Sequence, residues 1–203
     1  MKVKLSQAVK MFFGNSSLEM VYFEAIANAL DANATEIGIK IAIKAFNQPE
    51  TLEVEILDNG EGFTDERYRK FSMLFDVEES SHKGLGRLVY LCYFDDVYVS
   101  SYYNKIKKRE FDFSEGFEEE KFNIVDVEEH PSGTTFRMSG YTLQKIAKGD
   151  FIHPKKLKHR ILEEFYARLF QLKKDGISIK ISIQATVEGK ESNESIDNSD
   201  IPE

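Results

Sequence analysis

One cysteine, Cys92, is present in 203 residues, so no disulfide can form within the chain and a reducing compartment is the default setting. No apolar run approaches the roughly 18 residues that a membrane-spanning helix needs. The N-terminal stretch holds no apolar core of the kind a secretory signal requires. A cytoplasmic setting without a membrane partner is therefore expected. Basic charge is also short: 27 Lys and Arg stand against 35 Asp and Glu, a net charge of −8. Such a surface repels phosphate backbones, so nucleic-acid binding by this segment as a whole is disfavoured. Two short basic runs, 105–109 and 155–160, read as solvated faces. No HxH or CxxC occurs and the four histidines show no metal spacing, which argues against zinc. There is no GxSxG or Cys/His nucleophile arrangement, and neither the P-loop nor the dinucleotide glycine pattern. Cys92, in an apolar segment, reads as inert core.

What is present is enough for a core: 41% of residues are hydrophobic. Ser16 or Ser17 is placed to cap a long helix over 17–33. Alternating, isoleucine-rich segments at 36–45 and 52–57 read as strands. A turn at 48–50 separates them. Thr64 is placed to cap a short helix over 65–73, and a polar, broken stretch at 75–83 reads as a mobile loop. An apolar helix over 87–94 follows, then strands at 96–103, 107–113, 121–128 and 134–138. A helix over 151–172 and a strand at 177–183 complete the pattern. The acidic tail from 188 onward has little to bury and is expected to be disordered. The order predicts an α+β two-layer sandwich: a mixed, mostly antiparallel sheet with helices on one face.

The first helix is unusual in its circumference. At about 100° per residue, Glu24, Asn28 and Asp31 fall on one stripe roughly 60° wide, and most of the remaining circumference is apolar. An ordinary surface helix gives up about half its surface to polar groups. Two carboxylates and an amide on a mostly buried helix call for a cation, water or ligand as compensation. Two glycine-rich turns join this stripe. Asp58-Asn59-Gly60-Glu61-Gly62-Phe63 follows a strand, and its glycines allow a close backbone approach. Lys83-Gly84-Leu85-Gly86-Arg87 precedes an apolar helix, where backbone N–H groups form an anion site and the two cations add charge. Each turn is weak evidence alone.

In order, these pieces resemble the GHKL (Bergerat-fold) ATPases, which include gyrase-type topoisomerases, ninety-kilodalton heat-shock chaperones, histidine kinases and MutL-type repair proteins. The segment 24–35 is similar to the MutL and MORC version, E-x-x-x-N-x-x-D-A-x-A-T, and an alternating strand follows it. Ser132-Gly133-Thr134-Thr135, leading a strand, supplies a fourth motif. The resemblance covers about residues 15–140. It implies Mg-ATP as ligand and Glu24 as general base for slow hydrolysis. It implies Asn28 as the Mg²⁺ ligand, with Asp31 beside it to organise water or hold the loop. Asp58 would accept from the adenine amino group, Gly60 and Gly62 would turn against the base, and Thr134 would bridge to it through water. Gly84, Leu85 and Gly86 would form the phosphate-binding hinge of a lid at 75–83, with Lys83 and Arg87 as charges beside it.

The expected organisation is an ATP-binding domain over 1–150, a helix–strand extension over 151–187 and the tail over 188–203. The resemblance further implies a conformational or dimerisation switch in a larger, chaperone-like machine, with dimer contacts through residues 1–15. Family members often receive a γ-phosphate cation from a downstream domain, and Lys145, Lys148 and Lys155 are conceivable substitutes. Two other readings stay open: a nucleotide-gated binding module without turnover, and a histidine-kinase-like catalytic domain.

Overall fold

The computed structural model describes residues 16–72, 86–146 and 151–201. The expected lid at 75–83, the phosphate-hinge residues Lys83, Gly84 and Leu85, Lys148 and the segment 1–15 lie outside the described residues.

Helix α1 spans Glu19–Asp31 and leads into a hairpin of β1 (Glu36–Ile43) and β2 (Glu53–Asp58), joined through a 3-10 turn at Pro49–Thr51. Helix α2 (Asp65–Ser72) follows. A 3-10 turn at Gly86–Val89 and the short α3 (Tyr90–Tyr93) precede a run of four strands: β3 (Phe94–Tyr103), β4 (Lys107–Phe113), β5 (Asn123–Asp126) and β6 (Gly133–Tyr141). Helix α4 (Pro154–Lys174) and a final hairpin, β7 (Lys180–Val187) and β8 (Lys190–Ile196), complete the described chain. The eight strands form one sheet in the order β5-β4-β3-β6-β2-β1-β7-β8. Neighbours are antiparallel except β1 and β7, which run parallel. The mixed, mostly antiparallel sheet is the one the sequence predicts.

Period-two alternation decides which face is covered. Ile37, Ile39 and Ile41 of β1, Val54 and Ile56 of β2, Phe136 and Met138 of β6, and Ile181 and Ile183 of β7 are buried under the helices. Each such side chain contributes about 1.5–3 kcal/mol when fully removed from water. The opposite face carries Lys40, Glu55 and Arg137, joined by ion pairs of 2.8 Å. Helix α1 is buried nearly all round, at Val21, Tyr22, Phe23, Ala25, Ile26, Ala29 and Leu30. Helix α4 buries one stripe, Leu157, Ile161, Phe165 and Leu169, at four-residue spacing. Phe165 meets Phe23 edge-on at 5.9 Å, joining the two helices.

Several expectations are corrected. Neither Ser16 nor Ser17 caps α1 by a side-chain bond; Leu18 occupies the cap position, and Ser16 Oγ instead shares a 3.2 Å hydrogen bond with the Tyr93 hydroxyl. Thr64 does cap α2, accepting from the Arg67 amide at 3.3 Å. The helix expected over 87–94 is a 3-10 turn and a single α turn, after which the chain enters β3. The last strand begins later than expected, at Lys180.

The tail from 188 is not disordered in its described part: β8 pairs with β7 along seven register positions. Glu188 and Gly189 both have positive φ, 51° and 75°, the backbone of a tight two-residue hairpin turn. Ile196 and Ile201 bury themselves at its end. The strand is polar elsewhere because it is a sheet edge, which is why its composition resembled a solvated tail.

The run 105–109 is likewise only partly a solvated face. Arg109 is 2% exposed. Its Nη1 donates to the Phe63 and Thr64 carbonyls at 2.7 and 3.0 Å, and Nη2 pairs with Asp65. The rings of Tyr68, Tyr103 and Phe122 flank its guanidinium. This buried arginine ties the loop after β2 to β4.

Candidate functional site

A cavity of about 200 Å³ opens between α1, the ends of β2 and β6, and α2. Asn28, Asp31, Asp58, Gly62, Arg87 and Thr134 line it, with Phe63, Phe71 and Phe136 as apolar wall. Four separate sequence motifs thus converge on one hollow. Glu24 lies one turn before Asn28 rather than in the lining itself, and Asn28 Nδ2 donates to its Oε1 at 3.0 Å. Asn28 thereby spends one donor and keeps its carbonyl oxygen, an atom suited to a hard cation. Glu24 also abuts the third motif: a Cβ on Gly86 would stand 2.1 Å from Glu24 Oε2. Any side chain at 86 would displace the carboxylate.

Burial raises the Glu24 pKa; the Asn28 hydrogen bond and the positive charge of Arg87 oppose that, and Asp31 adds to it. Asp58 is pushed up to about 6, again by burial first, against hydrogen bonds from the Gly60 and Thr134 backbones. Its Oδ1 accepts from the Gly60 amide at 2.8 Å. A carboxylate offers about four lone-pair sites, so accepting capacity remains for a ligand. Neither acid has a cation within ion-pair distance among the described residues.

The D-N-G-E-G loop is held against the end of α1 by a set of cross-links. Asn59 Oδ1 accepts from the Thr35 and Glu36 amides at 2.8 and 2.9 Å, and its Nδ2 donates to Thr35 Oγ1 at 3.0 Å. Glu61 accepts from Asn33 at 2.6 Å and from Arg67 Nε at 3.1 Å. Gly60 sits where a Cβ would meet the Ala32 carbonyl at 2.7 Å. Gly62 has φ +74° and no room for a Cβ, with the Tyr102 carbonyl 2.1 Å from it. The first and second motifs are therefore one welded structure.

Asp31 divides its functions. It borders the cavity, yet its carboxylate pairs with Arg168 of α4 at 2.8 Å, and its carbonyl accepts from Arg67 Nη2 at 2.8 Å. Thr134, 6% exposed, shares a 3.1 Å hydrogen bond with Ser101 Oγ.

Three residues of the site were not singled out from the sequence. Asn59 is the clamp just described. Ser101, fully buried, accepts from the Phe63 amide at 2.7 Å and links it to Thr134. Tyr90 is also fully buried, and its hydroxyl lies against Asn28 without completing a hydrogen bond of good geometry. Burial and then the charge of Glu24 push its pKa well up. Arg87, which was anticipated, is 5% exposed and comes down to about 10 through burial, with Glu24 opposing. Cys92 is half-buried with its thiol pushed up to about 11 by burial, as suits an unreactive side chain.

Among the described residues, no group of three or more His, Cys, Asp and Glu is placed to hold a metal, and no helix is long and apolar enough to cross a membrane.

No curated protein matches the sequence well enough to count as a relative. Solved structures do resemble the fold. The N-terminal domain of a DNA repair protein superposes with TM-score 0.58 at 17% identity over 94% of this chain, which spans 55% of that one. The topoisomerase IV ATP-binding domain of Francisella tularensis, in complex with a small-molecule inhibitor, gives TM-score 0.58 at 16% identity, covering 94% of this chain and 92% of the other. At such identities the likeness concerns the fold. Residues 16–140, carrying α1, both glycine-rich segments of the sequence and Thr134, match the family described as histidine kinase-, DNA gyrase B- and HSP90-like ATPases. The chain belongs to that family, the GHKL ATPases.

Proposed function

We propose that this chain binds Mg-ATP in the cavity beside α1 and hydrolyses it slowly, driving a conformational or dimerisation switch in a larger protein. The observation that carries the reading is the convergence of Asn28, Asp58, Gly62 and Thr134 on one hollow, with Glu24 hydrogen-bonded to its edge. Family membership supports ATP binding.

In this reading adenine enters against Gly60, Gly62 and Phe136, and its amino group donates to Asp58. Thr134 reaches the base through water. Asn28 would hold Mg²⁺ with its carbonyl oxygen, and the ion would neutralise phosphate charge when bound. Glu24 orients a water in line with the γ-phosphorus. The water oxygen bonds to that phosphorus, the bridging bond to the β-phosphate oxygen breaks, and its electron pair leaves with ADP. Glu24 takes the proton of the water. Its raised pKa places the carboxylate nearer to that task than an exposed glutamate would be.

Calorimetric titration with Mg-ATP tests the pocket: saturable binding in the wild type, lost in Asp58→Ala, is the expected result. Absence of binding in the wild type would sink it. Phosphate release abolished in Glu24→Ala then separates turnover from passive binding. The passive module is the second reading; Glu24, half-buried and hydrogen-bonded by Asn28 but without an ion-pair partner among the described residues, favours hydrolysis over it. Sedimentation with a non-hydrolysable ATP analogue tests the switch, with no change in mass or shape counting against it.

A further inference from the structure

We propose that Arg87 supplies, from within this chain, the cation that grips the terminal phosphate of ATP, a role that rests on the nucleotide reading above. Among the described residues, three cationic side chains border the cavity: Arg67, Lys70 and Arg87. Arg67 is committed, with Nε on Glu61 and Nη2 on the Asp31 carbonyl. Lys70 is exposed and pairs with Glu66 at 2.9 Å. Lys145 and Lys155 are exposed and do not border the cavity. Arg87 alone of the three is both buried and uncommitted: its Nε and Nη2 are out of contact with water and have no hydrogen-bond partner.

A buried guanidinium with two idle donor nitrogens, three N–H groups in all, is costly unless something receives them. The acceptor it is built for is an anion with several oxygens, which a phosphate offers in matching fork geometry. The guanidinium is already held in place. Nη1 donates to the Lys70 carbonyl at 3.1 Å, and the plane stands 4.9 Å from the centre of the Phe71 ring. Such pre-positioning removes the cost of ordering a long side chain on binding.

Its position along the cavity assigns it to the terminal phosphate. Arg87 follows Gly86, which packs on the Glu24 carboxylate. Among the acids of the site, Glu24 is the one whose charge it moderates, whereas Asp58 is moderated by Arg67. The guanidinium thus belongs to the Glu24 side of the cavity, where the terminal phosphate must lie if Glu24 is to activate the attacking water. The chain thereby holds both a proton acceptor and a γ-phosphate cation. The cation expected from a downstream domain is supplied in cis by the third motif.

The test compares Mg-ATP and Mg-ADP by calorimetry in the wild type, Arg87→Met and Arg87→Lys, with thermal melts alongside. Methionine keeps the packing on Phe71 and removes the donors. ATP affinity should fall roughly 10- to 100-fold in Arg87→Met, the equivalent of one or two charge-assisted hydrogen bonds, while ADP affinity changes by less than about threefold. Equal losses for ATP and ADP, or no loss in a folded variant, would overturn the proposal. Should Arg87→Met fail to fold, Arg87→Lys, which keeps the charge and loses the fork, decides: preference for ATP over ADP should drop, and an unchanged preference overturns the idea. A wild type that binds both nucleotides without preferring ATP sinks the role of Arg87 and leaves the nucleotide reading standing. A wild type that binds neither ends both.

Discussion

Glu55 and Asp58 are carboxylates three residues apart on the same strand, and they titrate in opposite directions. Odd spacing sends them to opposite faces of the sheet. On the open face, Glu55 stands in register with Lys40 of β1 and Arg137 of β6, and both hydrogen-bond to it. These partners hold its pKa below the ordinary value. On the covered face, Asp58 stands in register with Ile37 and Thr134, neither of them charged. It rises to about 6 through burial. Glu24, on the helix above, behaves as Asp58 does. The fold satisfies Glu55 completely and leaves Asp58 and Glu24 partly unsatisfied. An acid whose partners are all supplied by the sheet is an element of structure. One kept at a half-buried hollow with spare lone pairs is poised for a ligand.

The sharpest way to break the contrast is at Glu24. Glu24→Gln keeps the shape and an acceptor for Asn28, so ATP affinity should hold within a few-fold while phosphate release falls by about 10²–10⁴-fold. Equal release in mutant and wild type would remove Glu24 from the chemistry.

Asp58→Asn comes next, and its two effects have opposite signs. ATP affinity should fall by about 100-fold, since an amide cannot accept from the adenine amine in the same way. Stability at pH 7.5 should rise by about 1–2 kcal/mol: the displaced titration is equivalent to roughly 3 kcal/mol, less what the amide loses as an acceptor of two backbone bonds. The folded pKa of about 6 exceeds the ordinary 3.8, so the native state holds more protons between those values and wild-type stability falls as pH rises through that window. The gain in the variant should therefore be full above about pH 6 and vanish toward pH 4. Urea melts at both pH values check this; a destabilised variant at pH 7.5 would contradict the burial argument.

A third prediction concerns the support beneath the site. Ser101→Ala removes the acceptor of the part-buried Phe63 amide and the partner of the buried Thr134 hydroxyl. A loss of about 1–2 kcal/mol is expected, with weakened ATP binding, measured by melts and calorimetry. A stability loss with binding intact would show that Ser101 supports the loop and not Thr134.

Ser101 also shows how far the sequence could be read. The layer order and most strands followed from alternation, and the stripe on α1 was visible because so little else on that helix is polar. Asn59 was not legible, because its role depends on Thr35, 24 residues earlier, lying beside it across the β1–β2 hairpin. Ser101 and Arg109 left a signal that went unused, and Thr134, read from its motif, shares it. Each is a polar residue in an inward alternation that is otherwise apolar or aromatic: Val97, Val99, Ser101; Arg109, Phe111, Phe113; Thr134, Phe136, Met138. Strand pairing brings Ser101 opposite both Thr134 and Arg109. A break in alternation repeated on three adjacent strands marks where a sheet end turns from core to site. Composition misled at the tail, where an edge strand needs few apolar residues, and at Arg109, buried within a run read as solvated.

The smallest effect should come from Glu55. Its carboxyl is 25% exposed and its partners are more so, at 54% and 64%. Exposed cross-strand pairs contribute a few tenths to about 1 kcal/mol, so Glu55→Gln should lower stability by no more than that, and less in high salt. Because the folded pKa lies below the ordinary value, the wild-type contribution is present above pH 4.5 and is lost as pH falls through the folded pKa. The variant should thus differ from wild type at neutral pH and converge with it in acid. Asp58→Asn converges in acid as well, but from the stabilised side. ATP affinity should be untouched in Glu55→Gln, since the sheet separates the ion cluster from the cavity. A loss of affinity there would show that the two faces communicate through β2.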